Sequence, residues 1–451
     1  MDRVNAVIVY GAGVSGRGAA EVLAKSGRRV FLYNDEPCSI GEDLLKLIKT
    51  FGGELVCGSK QFTSLLNKAE LMVLSPGIAP DSLPVQRAEA AGLEVISEIE
   101  LAYRLYKGHI VAITGTNGKT TTTSIVGAML AVLPVRTAVG GNIGLALSKE
   151  VEALPDDGWI AAELSSFQLE KTVSFCPDIA VVLNLTPDHL ERHHTMEAYA
   201  AAKKRIFLQQ GENQISILNY DDPLVRTWAT ESKGQICFFS RKEELSQGVF
   251  VHNGYFVIKW NGKREVVCRT DELCLFGAHN EENVLAAIGC GYFAGVSCIE
   301  MAEILRNFKP VEHRLEYVRT VNGVPYYNDS KATNTDSTVK ALEAFREGHV
   351  VLLAGGHDKL TELETLMAVV KEKVDLLILL GEAKERFCKA AKAAGVENIL
   401  LAASFADAVN KAHAMAVEPQ VVLLSPACSS YDMFKNYPER GRCFKKLVQS
   451  L

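Results

Sequence analysis

The stretch IVAITGTNGKTTTT (residues 110–123) decides the fold. An apolar, β-branched run ends at Thr114 and meets Gly115, Thr116, Asn117, Gly118, Lys119 and Thr120. Thr121, Thr122 and Thr123 then open an apolar helical pattern. Strand, glycine loop and helix in that order make a phosphate cradle. Backbone N–H groups ring a β-phosphate, the Lys119 ammonium meets the β/γ oxygens, and the Thr120 hydroxyl is placed to ligate Mg²⁺. The loop is a shortened variant, because Ile113 stands where the common P-loop has its first glycine.

The same rhythm runs outward in both directions. Continuous apolar runs at residues 6–10, 30–33, 71–74, 160–163, 179–184, 350–354, 376–380 and 421–425 read as buried parallel strands. Helical patterns at residues 17–25, 121–133, 196–208 and 283–293 lie between strands. That alternation predicts an α/β protein of doubly wound sheets. Residues 248–268 depart from it. Asn253-Gly254 and Asn261-Gly262 each separate strand-like runs, which predicts a small three-stranded antiparallel meander.

At 451 residues the chain has room for three domains, with boundaries expected near residues 96–98 and at Pro310. The expected division is therefore 1–97, 98–310 and 311–451. Lys and Arg number 48 against 54 Asp and Glu, a net charge of −6 with no basic block, so no nucleic-acid partner is expected. The 11 cysteines form no CxxC pair and no zinc-binding spacing, which points to reduced thiols and a cytoplasmic protein. No run of 18 apolar residues exists and the N-terminus lacks a secretory pattern, so no membrane insertion is expected.

A second glycine loop, GAGVSG (residues 11–16), follows the first strand, and Asp35 ends the next strand 19 residues after Gly16. This is the dinucleotide-binding fingerprint in its proper context. By itself the loop suggests NAD, but any diphosphate-bearing nucleotide satisfies it; Asp35 would take sugar hydroxyls or a base edge. Ser75-Pro76-Gly77-Ile78 follows another strand and reads equally as a contact loop or a plain turn. Glu163 at a strand end is either a Mg²⁺ ligand or a solvated terminus, and the phosphate loop favours the metal. His189 lies just past a strand end on the loop side, whereas His193 and His194 read as surface residues. Lys203-Lys204-Arg205 reads, on residues alone, as the solvated face of a helix. Asn280 and Asn283 share one helix face and suit either an adenine edge or, for Asn280, helix capping.

Taken together, GTNGKTTT, ELSSFQLE, NLTPDHLERH and GAHNEENVLAA occur in the order found in the Mur ligase family, ATP-dependent amide ligases of bacterial cell-wall synthesis, which this chain resembles. HRLEYV (313–318), NDSKATN (328–334) and LSPACSSYDMFKNYPERG (424–441) are similar to the branch that adds D-glutamate to UDP-N-acetylmuramoyl-L-alanine. The resemblance implies a Rossmann-like N-terminal domain, a central P-loop ATPase-like domain carrying the meander, and a C-terminal Rossmann-like α/β domain. It replaces NAD by UDP and implies substrate contacts at Val14, Ser15, Asp35, Ser75, Gly77, Asn142, Ser165 and Gln168. Implied ATP contacts are Gly115, Thr116, Asn117, Gly118, Lys119, Thr120, Thr121, Asn280 and Asn283, with Arg314 and Asp329 from the third domain. Two Mg²⁺ ions are implied, one on Thr120 and Glu163, the other on His189 and a carbamylated Lys203. Thr333, Lys359, Ser430 and Tyr437 are implied D-glutamate contacts, with Lys331 nearby. The catalytic set is then Lys119, Glu163, His189 and Lys203, in a monomer whose third domain closes to exclude water from an acyl phosphate. Cys428 reads as a buried structural thiol. The competing readings are a nicotinamide-dependent dehydrogenase, a P-loop switch gated by a partner protein, and a sister ligase taking another amino acid.

Overall fold

The computed structural model describes residues 6–273, 275, 277–309, 312–345 and 347–451. The chain forms two compact units: Met1–Glu272 with Glu282–Arg306, and Leu273–Glu281 with Asn307–Leu451. The boundary expected at Pro310 lies outside the described residues.

The first unit holds two sheets. One is built from β1 (Ala6–Tyr10), β2 (Arg29–Asn34), β3 (Glu54–Cys57), β4 (Leu71–Leu74) and β5 (Glu94–Ser97), all parallel in the order β3-β2-β1-β4-β5. Every residue of β1 is buried, as expected of a strand covered on both faces. Strand order reverses between β1 and β4, and ligands of such sheets bind outside the carboxyl ends at that reversal. The loops at Gly11 and Ser75 emerge there. Gly11 has φ +100°, and a Cβ on Gly16 would lie 1.7 Å from the Gly11 carbonyl oxygen, so neither position tolerates a side chain. Ser75 closes the crevice floor: its N–H donates to Tyr10 O at 2.9 Å and its hydroxyl to Gly11 O at 2.9 Å. The following helix, Val14–Lys25, starts three residues earlier than the sequence pattern suggested.

The second sheet comprises β6 (His109–Thr114), β7 (Thr137–Gly141), β8 (Trp159–Glu163), β9 (Ile179–Val182), β10 (Ile215–Asn219), β11 (Gln235–Ser240), β12 (Gly248–His252), β13 (Tyr255–Trp260) and β14 (Lys263–Arg269). Its order is β14-β13-β12-β11-β10-β9-β6-β8-β7. The expected meander is β12-β13-β14, antiparallel, with Asn253 (φ 50°), Gly254 (77°), Asn261 (49°) and Gly262 (79°) all left-handed, as tight hairpins require. It extends the parallel sheet, since β12 pairs parallel with β11.

These two sheets are joined closely. A Cβ on Gly18 of Val14–Lys25 would lie 2.6 Å from the Ala146 Cβ, at the start of the helix Leu147–Glu152. Lys149 pairs with Glu21 at 2.7 Å and Lys25 with Glu152 at 3.1 Å. The helix Glu98–Leu105 adds two buried carboxylates. Glu98 Oε1 accepts from the Ser148 N–H (2.7 Å) and hydroxyl (2.6 Å). Glu100 accepts from the N–H groups of Val173, Ser174 and Phe175 and from the Ser174 hydroxyl.

The second unit is one sheet: β15 (Glu316–Val321), β16 (Val324–Asn328), β17 (Val350–Gly355), β18 (Val374–Leu380), β19 (Ile399–Leu401) and β20 (Val421–Leu424). The order is β15-β16-β20-β17-β18-β19, parallel except for the β15-β16 hairpin. Helices cover both faces, giving two apolar cores, one around Leu352 and Leu379 and one around Leu353 and Ile378. Among the described residues no helix is long and apolar enough to cross a membrane.

Candidate active site

In the nine-stranded sheet β6 runs between β8 and β9, so the loops after these three strands open on the same edge. The loop after β6 is the glycine loop. Gly118 has φ +85° and a Cβ there would meet Asn283 Oδ1 at 2.1 Å, so the loop packs directly against the helix Ala278–Phe293. Asn283 Oδ1 also lies 3.4 Å from the Thr122 hydroxyl. The helix begins at Ala278, which places Asn280 inside its first turn; the capping alternative is overturned.

The loop after β9 holds the phosphate loop in shape. The expected strand at 179–184 ends at Val182, which frees the next residues to turn toward Gly115. Asn184 Oδ1 accepts from Asn117 N–H at 2.8 Å, and Asn184 Nδ2 donates to Asn117 O at 3.2 Å. Thr116 Oγ1 accepts from Thr186 N–H at 3.0 Å and lies 3.2 Å from the Tyr199 hydroxyl. Lys119 Nζ donates to Gly115 O and Thr116 O, both at 2.8 Å, and so curls over the loop it serves. Thr120 and Thr121 are buried at the helix start.

Glu163 ends β8, where its register partner in β6 is Ile113. Its side chain is buried. Oε1 accepts from Asn142 Nδ2 at 2.8 Å, but Oε2 is buried with no hydrogen-bond partner among the described residues. A buried carboxylate oxygen lacking a donor is costly unless something cationic meets it. It suits a hard divalent cation, which takes oxygen ligands. Asn142, implied as a substrate contact, has its amide engaged on Glu163.

His189 follows the β9 loop with φ 55°, a left-handed conformation uncommon outside glycine. Its side chain is about one-third exposed, 3.7 Å from Asp188 and 3.5 Å from Glu191, with its ring edge-on to Phe167 at 4.8 Å. Asp188 is buried.

Lys203 corrects the reading drawn from residues alone. Its helix, Met196–Lys204, turns it inward, and the side chain is 1% exposed. Lys203 Nζ donates to Gly115 O at 2.7 Å and lies 3.4 Å from Thr114 Oγ1 and 4.7 Å from the Tyr199 ring centre. Burial first, and the Lys119 ammonium second, hold its pKa well below the usual lysine range, against a smaller pull from Asp188 and Glu163. Lys204 and Arg205 point elsewhere, to Glu231 and Thr172.

His193 also departs from expectation. It is buried, its Nε2 2.9 Å from the Ser166 hydroxyl, and burial lowers its pKa to about 4. His194 is exposed, as expected.

Ser165 and Gln168 form a capping box at the start of Ser166–Leu169. The Gln168 Oε1 accepts from Ser165 N–H at 2.9 Å, and Ser165 Oγ accepts from Gln168 N–H at 3.3 Å. Val14 (71% exposed), Ser15, Asp35, Ser75 and Gly77 gather at the carboxyl edge of the five-stranded sheet. Pro76 and Ile78, beside Ser75 and Gly77, share a small cleft with Phe167, Gln168 and Lys171.

In the second unit, Asp329 and Thr333 follow β16, Lys359 follows β17, and Ser430 and Tyr437 follow β20, so all five sit at carboxyl ends of parallel strands. Asp329 is fully buried and accepts from Ser425 Oγ at 2.8 Å; burial raises its pKa to about 6, with Arg314 pulling the other way. Lys331 Nζ lies 5.3 Å over the Tyr437 ring. Cys428 is buried and its thiol is pushed up to about 12 by burial, which leaves it unreactive. Arg440 had drawn no role from sequence although it lies in the last motif. Its buried guanidinium donates to Ser330 Oγ and O and to the carbonyls of Cys428 and Ser429, tying the loops after β16 and β20 together.

Three family models match the chain: a MurD-like N-terminal domain over residues 5–97, a Mur ligase middle domain over 113–291, and a Mur ligase glutamate ligase domain over 313–428. The UDP-N-acetylmuramoylalanine–D-glutamate ligase of Pelotomaculum thermopropionicum is 46% identical over 99% of this chain and 97% of its own. That of Desulfitobacterium hafniense is 45% identical over 98% and 97%. Among solved structures, the UDP-N-acetylmuramate-alanine ligase MurC of Thermotoga maritima aligns over 99% of both chains with a TM-score of 0.59 at 18% identity. The pseudomurein peptide ligase type C of Methanothermus fervidus aligns over 99% of both with 0.62 at 17%. With a three-domain α/β fold shared with those structures, matched domain models along nearly its whole length, and full-length relatives well above 40% identity, the chain is a member of the Mur ligase family.

Proposed function

We propose that this protein is the ATP-dependent ligase that joins D-glutamate to UDP-N-acetylmuramoyl-L-alanine in peptidoglycan synthesis, in the cytoplasm and as a monomer. The observation that carries the chemistry is the buried Glu163 Oε2, without a hydrogen-bond partner among the described residues, one strand away from the phosphate loop. The full-length relatives named for this reaction carry the substrates.

A free carboxylate does not acylate an amine in water because its oxygen leaves poorly. Transfer of the ATP γ-phosphoryl to the alanyl carboxylate gives an acyl phosphate and ADP. The D-glutamate amine then attacks the acyl carbon, and phosphate departs from the tetrahedral intermediate. Phosphoryl transfer brings two anions together, so positioning and preset positive charge supply most of the acceleration. Lys119 serves the β/γ oxygens and the glycine-loop N–H groups orient the chain of phosphates. Thr120, Glu163, His189 and Lys203 would hold Mg²⁺, which when bound offsets charge on ATP and on the carboxylate. Lys203 fits that role only as a carbamate. Its burial favours the neutral amine, the form that adds CO₂, and the addition turns a repelling ammonium into an anionic oxygen ligand. Asn280, Asn283, Arg314 and Asp329 are assigned to ATP. Val14, Ser15, Asp35, Ser75 and Gly77 are assigned to the UDP moiety, with Asn142, Ser165 and Gln168 near its diphosphate and sugar. Thr333, Lys359, Ser430 and Tyr437 are assigned to D-glutamate.

The deciding measurement is phosphate release from ATP and Mg²⁺ with UDP-N-acetylmuramoyl-L-alanine and a panel of amino acids. Release with D-glutamate alone supports the assignment; release with L-lysine or meso-diaminopimelate instead makes it a sister ligase. Lys119→Ala is expected to abolish release while the far-UV circular dichroism stays unchanged.

A further inference from the structure

The exposed carboxylate of Asp35 is gripped at both oxygens. Tyr10 Oη donates to Oδ2 at 2.5 Å and Tyr33 Oη donates to Oδ1 at 2.8 Å. The two tyrosines are register partners at the carboxyl ends of β1 and β2. Both are buried, their rings 5.0 Å apart, and the Tyr33 ring packs on Phe62 at 4.8 Å. The sheet therefore fixes the two hydroxyls. Burial, and then the Asp35 carboxylate, raise both phenol pKa values, so both hydroxyls keep their protons and remain donors. Asn34 links the same corner to the glycine loop, its Oδ1 accepting from Ala12 N–H at 3.1 Å and its Nδ2 donating to Glu36 O at 2.8 Å.

A carboxylate oxygen has two lone-pair directions. With one phenol on each oxygen, one acceptor direction remains on each, and the two bonds set the plane of the group. An unheld aspartate at a loop start would lose rotamer freedom when a ligand bound; this one has already lost it. Such a group accepts from an N–H or O–H edge and repels an edge that presents lone pairs. We propose that Tyr10 and Tyr33 are positioning residues that hold Asp35 as a preset acceptor for a donor edge of the nucleoside in the UDP substrate. The proposal rests on the assignment of Asp35 to the UDP moiety above.

Tyr10→Phe, Tyr33→Phe, the double variant and Asp35→Ala test it in the full chain, alone and combined. Each single Tyr→Phe change should raise KM for UDP-N-acetylmuramoyl-L-alanine, and the calorimetric Kd for UDP, roughly 3- to 10-fold, because only part of the worth of a hydrogen bond to a charged group passes through Asp35 to the ligand. Values of kcat and KM for ATP and D-glutamate should stay within about twofold, because neither tyrosine touches those sites. In the Asp35→Ala background the same substitutions should add nothing, since they act through that carboxylate. A KM rise of equal size with and without Asp35 would mean a structural effect and overturn the proposal. So would unchanged KM in both tyrosine variants while Asp35→Ala weakens UDP. If Asp35→Ala itself leaves UDP binding intact, the assignment of Asp35 falls, and the proposal with it. Should the double variant fail to fold, the single variants decide.

Discussion

Asn184 holds Asn117 by both ends of its side-chain amide, accepting from the Asn117 N–H at 2.8 Å and donating to its carbonyl at 3.2 Å. The phosphate loop thus owes its shape to a residue on the neighbouring strand's exit. Asn184→Ala removes both bonds to the buried Asn117 backbone, a loss of about 1–3 kcal/mol. KM for ATP should rise roughly tenfold or more with a smaller fall in kcat. Steady-state phosphate release at varied ATP checks this, and Asn184→Asp, which keeps the acceptor alone, should fall between.

Lys203→Ala should eliminate ligation and leave UDP binding unchanged. Added bicarbonate should not restore activity, because no amine remains to be carbamylated. A short-chain carboxylic acid such as acetate or propionate would place an oxygen anion in the space the side chain leaves and partly restore phosphate release. Full activity of the alanine variant would remove Lys203 from the catalytic set.

Glu100 gathers three backbone N–H groups and a hydroxyl in a side chain fully shielded from solvent. Burial pushes its pKa up, but Ser174 and the backbone donors, with Arg104, outweigh burial and bring it below the ordinary glutamate value. A depressed carboxylate stabilises the fold above its unfolded pKa, and that stability is lost as pH falls through the folded value. Glu100→Gln turns an acceptor-only group toward donors and should cost on the order of 2–4 kcal/mol at pH 7. The difference in urea midpoint from the parent should shrink on acidification below about pH 4.

Asp329 has the opposite sign. Its pKa is raised from 3.8 to about 6 by burial, so the folded chain keeps a proton that the unfolded chain has lost between those values. Stability therefore declines as pH rises through that window, by on the order of 2–3 kcal/mol. Asp329→Asn lacks this titration. Its urea midpoint should gain on the parent's between pH 4 and pH 7, and a constant difference across that range would contradict the assignment.

Much of this fold was legible in the residues because its signals are local. The strands at Ala6–Tyr10 and Leu71–Leu74 match their apolar runs residue for residue, and the two Asn-Gly turns mark the meander directly. Glycine loops were equally readable, since their glycines recur at fixed spacing just past a strand end, and Gly16 meets the Gly11 carbonyl within its own loop. Burial of polar side chains was not. Among 54 Asp and Glu residues nothing local marks Glu98, Glu100 or Glu163 as interior. His193 was misjudged for the same reason: its partner Ser166 opens a helix 27 residues away, and two adjacent histidines beside charged residues look solvated in sequence. Lys203 was readable only through family likeness, because the helix face that carries it inward also starts a basic triplet. Asn184 and Arg440 lay inside motifs already singled out, yet their partners, a loop and two carbonyl-rich turns, become visible only when distant strand ends converge.

Gly18 admits no side chain against Ala146, and the atom it would strike is a Cβ fixed to the main chain. The helix Val14–Lys25 and the segment leading from Asn142 are therefore seated by direct backbone proximity, with the Lys149–Glu21 and Lys25–Glu152 pairs flanking the contact. A chimera that grafts the first sheet from another nucleotide-binding protein would seat only where the donor helix also brings glycine to that contact. Bulkier residues there would pry the graft from its host while leaving each module folded.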